Sequence, residues 1–151
     1  MDDALADGRP SRIAIDPDDY HAEHVGHTAD GRQFFLTAQF DPALGDHAGS
    51  EYLALYLFDA AGVLIEARIE DFGPRAKVDE EKIAQLHANW LKGLGRVKCK
   101  RITIAPFAVQ RYGLDFGLIA SQSEDGDWSV ELQPGNFMAF FEPWDSGVYD
   151  T

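Results

Sequence analysis

Three imidazoles recur at a spacing of three in DYHAEHVGHT, at His21, His24 and His27, with Glu23 among them and His47 further along. Such groups ligate transition metals, and on a helix His21 and His24 would share a face and hold an ion. On a strand the same spacing turns His24 away from His21 and His27 and leaves those two about 20 Å apart. No cysteine pair and no HExxH pattern accompanies them, so the stretch predicts turn or surface histidines and no metal site.

A second constellation closes the chain in FFEPWDSGVYDT, where Glu142, Asp145 and Asp150 stand beside Trp144 and Tyr149. Two carboxylates in unlike surroundings divide acid and base roles, and neighbouring rings suit a sugar-like or cationic ligand. As a ligand site, the stretch would place Glu142, Trp144, Asp145 and Tyr149 around a concavity, with His21 or His27 joining from the first hairpin. The same residues also read as a turn. Pro143 and Ser146-Gly147 reverse the chain, Asp145 caps it, and Trp144 and Tyr149 lock the tail onto a sheet.

Cys99 lies in VKCKR, where cationic neighbours lower a thiol pKa and favour attack. Alternation puts Val97 and Cys99 on one side and Lys98 and Lys100 on the other, predicting a small inward hydrophobe instead. Phosphate and nucleophile motifs are missing. Gly93-Leu94-Gly95 follows a helix where a dinucleotide fingerprint must open one, and neither GxSxG nor GxxxxGK occurs.

The elements that must position these residues centre on Glu51 to Phe72, two apolar runs joined at Ala60, Ala61 and Gly62. In the first, Leu53, Leu55 and Leu57 face one way and Tyr52, Ala54, Tyr56 and Phe58 the other, the pattern of a central strand. Along the second, Ile65, Ala67 and Ile69 alternate with Leu64, Glu66, Arg68 and Glu70, predicting a dry face carrying Ile65. Asp30-Gly31 signals a two-residue type I′ turn between strands at Tyr20–Thr28 and Gln33–Phe40. After Pro74 the period changes. Ile83, Leu86, Trp90, Leu91 and Leu94 form the stripe of an amphipathic helix, capped by Asp79 and ended by Gly93 or Gly95. Further strands are predicted at Ser11–Ile15, Arg101–Phe107, Leu114–Ala120, Trp128–Gln133 and Phe137–Phe141, with Pro134-Gly135 suited to a type II turn. The expected architecture is α+β: one domain over residues 1–151, residues 1–10 a frayed arm, and an antiparallel sheet of about seven strands with the helix packed on one face.

A chain of 151 residues with ten Phe, five Tyr and three Trp buries a core without staples, and its single cysteine forms no internal disulfide. The opening MDDALADGRPSR lacks a positive region followed by an apolar one, and no apolar run approaches the length of a membrane span. A cytoplasmic protein is expected. Net charge is −13 and uneven: residues 75–111 carry nine basic and three acidic side chains, between two acidic segments. Overall acidity disfavours direct contact with nucleic acid. The basic block reads either as neutralising acidic neighbours or as a patch for an anionic partner.

The stretches DYHAEHVGHTADGRQFF, YLALYLFDAAGVLIEARI, LDFGLI and EPWDSGVYDT together resemble an uncharacterised group of small bacterial proteins sometimes labelled formate hydrogenlyase regulatory protein. The resemblance implies a regulatory role and brings no active-site residues with it. Composition and motifs point to a non-enzymatic interaction module, regulatory or immunity-like, with a protein partner on an acidic surface and no cofactor. The alternative is a small-molecule binder or enzyme with its pocket near the C-terminal turn.

Overall fold

The computed structural model describes residues 9–17, 24–41, 49–134, 138–141 and 144, and the backbone of 147–149. The expected frayed arm, the start of the first hairpin with His21, and Gly135, Glu142 and Asp145 fall outside the described residues, apart from the arm's last two positions.

The described chain is mostly antiparallel strand with one α-helix. The strands do not form one sheet of about seven. They divide into a sheet of β2 (His24–Thr28), β3 (Gln33–Asp41), β4 (Ser50–Phe58), β5 (Leu64–Gly73) and β6 (Val97–Cys99); a sheet of β8 (Phe107–Arg111), β9 (Leu114–Gln122), β10 (Trp128–Gln133), β11 (Met138–Phe140) and β12 (Gly147–Tyr149); and a ribbon of β1 (Ile13–Ile15) with β7 (Ile102–Ile104). The reason lies in β4, which is apolar on both faces and must be covered twice, whereas helix α1 (Glu80–Gly93) covers only one. Tyr52, Ala54, Tyr56 and Phe58 pack against Phe116, Leu118, Val130, Leu132 and Phe140 of the second sheet. Leu53, Leu55 and Leu57, with Phe34 and Leu36 of β3, take Leu86, Trp90, Leu91 and Leu94 of the helical segment.

Helix α1 starts as its sequence dictates. The Asp79 carboxylate accepts from the amides of Glu81 and Lys82 at 3.0 and 3.3 Å, and Gly95 takes φ +76° beyond the helix end. No residue of the helix itself is fully buried, so Trp90 is a half-buried lid over β3 and β4.

Two turn assignments change places. The loop between β2 and β3 has four residues, Ala29 to Arg32, with Thr28 N–H bonded to the Arg32 carbonyl and only Gly31 at positive φ. The two-residue type I′ turn lies instead between β8 and β9, where Tyr112 and Gly113 both have positive φ. Arg101–Phe107, expected as one strand, breaks at Ala105-Pro106 into β7 and β8. The proline there has no N–H to donate to a ladder.

The ribbon closes one side of the core, with Ile13, Ile15, Ile102 and Ile104 all inside it. Buried Gln33 fastens it: its Nε2 donates to the Asp59 and Thr103 carbonyls, and its Oε1 accepts from Thr103 N–H at 2.8 Å. Gln39 plays a similar part between the sheets, accepting from the Tyr56 hydroxyl at 2.7 Å and donating to the Gln133 carbonyl at 2.7 Å. Burial pushes the Tyr56 phenol pKa up, which keeps it a neutral donor.

Candidate functional site

The first exposed feature of the helix-bearing sheet is its β5 edge. Strict alternation predicts Ile65 inward, but the ladder shifts register between Leu57 and Phe58, pairing Leu57 with Glu66 and Phe58 with Leu64. The shift moves Leu64 against the core and leaves Ile65 54% exposed, beside Val63 at 48%. Three consecutive aliphatics, Val63-Leu64-Ile65, are the sequence signal for it, because a strand cannot bury all three on one face.

This aliphatic pair sits on a rigid support. The Asp59 carboxylate accepts from the amides of Ala61 and Val63, both at 2.9 Å, and the Asp59 and Val63 backbones are bonded to each other. From outside the loop, Arg12 Nε donates to the Ala61 carbonyl at 3.0 Å and Ala105 N–H to the Gly62 carbonyl at 2.9 Å. Gly62 itself has φ +91°, and a Cβ there would lie 2.5 Å from the Thr103 carbonyl oxygen, so the loop is fitted to the ribbon with no room for a side chain. Beyond Ile65 the strand shows Glu66, Glu70 and Asp71, with Arg68 bonded to Glu66. The Tyr112 hydroxyl reaches the Ile69 carbonyl at 2.8 Å, where β5 comes nearest the second sheet.

At the opposite edge, β6 is short and basic. Of the cations in the basic block, Arg75 pairs with Glu51 and Arg101 with Asp16. Lys92, Arg96, Lys98 and Lys100 are exposed and form no ion pair among the described residues, so neutralisation of neighbours accounts for only part of the block. Cys99, expected inward, is exposed on this edge strand and faces the close approach of Gly26. Its strand is the last of the sheet among the described residues.

A third feature is a cleft of about 520 Å³ between the lead-in to β1 and the second sheet, lined by Arg9 to Arg12, Ala105 to Ala108, Leu118 to Ala120 and Trp128. No sequence motif announces it, because its walls come from stretches far apart in the chain.

No family model, curated protein or solved structure matches the chain.

Among the histidines, His24 and His87 meet edge to face with centroids 4.6 Å apart, which joins β2 to α1. His27 is on the other face of β2 and bonds the Arg101 carbonyl through Nε2 at 2.9 Å. The strand parity that separates His24 from His27 is therefore present, while His21 lies outside the described residues. Among the described residues, no three metal-ligating side chains converge. Trp144 is 4% exposed in the inter-sheet core, its carbonyl accepting from Ala14 N–H at 3.0 Å. Past it the chain returns as β12 along β11, with Tyr149 opposite Met138. Of the turn reading, the docking of Trp144 is present. Glu142, Asp145 and the Tyr149 side chain are outside the described residues, as is any convergence of them with His21. No helix among the described residues is long and apolar enough to cross a membrane.

Proposed function

We propose that this chain is a protein-interaction module, regulatory or immunity-like, which receives a protein partner on the acidic β5 edge. The observation that carries the reading is the Val63–Ile65 pair: two exposed aliphatics, Ile65 held out by the register shift and Val63 on a loop fixed from both sides. A rigid apolar anchor with charged groups around it is how a binding surface reduces the ordering entropy of association. Glu66, Glu70 and Asp71 supply the rim, and their charge selects a partner with a basic contact face. A regulatory role of this kind is also what the family resemblance of the sequence implies.

The test compares variants in one capture experiment from an extract of the cells that express the protein. A protein retained by wild type should be retained at least tenfold less by Ile65→Lys and equally by Lys98→Glu, with retention falling as salt rises. Equal retention by Ile65→Lys and wild type would remove the β5 edge as the contact.

A further inference from the structure

The cleft between the lead-in to β1 and the second sheet has a chemistry of its own. Pro10, Pro106, Phe107, Leu118, Ile119 and Trp128 give it apolar walls, and about 520 Å³ is within the range that encloses a small organic molecule. Arg12 brings a cation to this wall. Arg12 is intermediate in exposure; its guanidinium donates from Nε to the Ala61 carbonyl at the exposed side and from Nη1 to the Ser11 carbonyl at 2.7 Å. Among the described residues those two carbonyls are its only partners, and it forms no ion pair with a carboxylate of that set. Its remaining N–H donors, in a planar fork, fit an anion of carboxylate geometry. The two carbonyls also fix the guanidinium in place, so little of its rotamer freedom remains to be lost on binding.

We propose that this cleft binds a small organic anion: an aromatic or branched aliphatic body against Phe107, Ile119 and Trp128, with its acidic head on Arg12. The cleft lies apart from the β5 contact and needs no partner there, although Arg12 also braces the Ala61 loop. The body supplies affinity by leaving water, and the head supplies orientation.

The test uses the full chain and 1-anilinonaphthalene-8-sulfonate as the probe, followed by its fluorescence. One probe should bind per chain, octanoate should displace it, and octanol at the same concentration should displace it at least tenfold less well. Arg12→Gln should weaken probe binding at least tenfold, Arg12→Lys by a smaller factor, and Lys98→Glu not at all. Because Arg12 also holds Ala61, amide chemical shifts of the wild type are followed in the same titration. Shifts confined to residues 9, 11–12, 105, 107–108, 118–120 and 128 are expected. Equal competition by octanol and octanoate, unchanged affinity in a folded Arg12→Gln, or shifts centred elsewhere would each overturn the proposal.

Discussion

The two edges of the sheet beneath α1 end in opposite ways. β6 is three residues long, carries lysine at position 98 with another just beyond it at 100, and lies so close to β2 that a Cβ on Gly26 would stand 2.0 Å from the Lys98 carbonyl oxygen. β5 is ten residues long, irregular in register at two points, and presents aliphatic side chains followed by carboxylates. Short length and projecting lysines are how natural sheets discourage a further strand. One edge of this sheet is thus closed by its own composition, whereas the other offers a fixed apolar anchor within an acidic surround.

The contrast is broken most strongly at Gly26. A methyl group there meets backbone atoms of β6 that have no rotamer to yield, so Gly26→Ala should cost about 3 kcal/mol and uncover the edge of β2. Urea denaturation measures it, and a midpoint equal to wild type would mean that β6 is not clamped to the sheet. Gly62→Ala addresses the other edge. Its left-handed backbone and the 2.5 Å approach to Thr103 predict a loss of about 2 kcal/mol in the same assay. Partner retention should fall with it, since the Val63–Ile65 support is displaced.

The smallest effect is expected at Asp16, whose carboxylate takes two bonds from the Arg101 guanidinium just beyond β6. That bond holds the Asp16 pKa below the ordinary carboxylate range, with the Arg101 charge adding to it and slight burial opposing. The depressed folded value makes the pair stabilising above the unfolded pKa, and the contribution disappears as pH falls through the folded one. An exposed pair contributes little, so Asp16→Asn should cost under about 1 kcal/mol at neutral pH. Thermal melts of variant and wild type should converge in acid; a gap that widened there would contradict the pairing.

Much of this architecture was legible because local signals were strong. The apolar faces of β4 read directly from Leu53 to Phe58, and Asp79, Glu80 and Glu81 marked the helix start. Division into two sheets was not legible: alternation tells which face is apolar but not which strand or helix will cover it. Ile65 was misplaced for a different reason, since one extra residue in a ladder inverts the parity of everything before it. Cys99 was misplaced because an edge strand of three residues has too little length for alternation to be decisive. Gln33 and Gln39, polar yet inside, are explained by partners distant in the chain, Thr103 for one and Tyr56 and Gln133 for the other. The cleft at Arg12 depends on the same kind of long-range meeting, so neither its walls nor its cation carried a local signature.

The edge assignment is tested most directly by replacing Ile65, and separately Lys98, with a photo-activated cross-linking amino acid and irradiating the protein in its own cells. The account predicts a discrete adduct with one protein from position 65 and none from position 98. An adduct from 98 with no counterpart at 65 would place the contact on the basic edge and contradict the account.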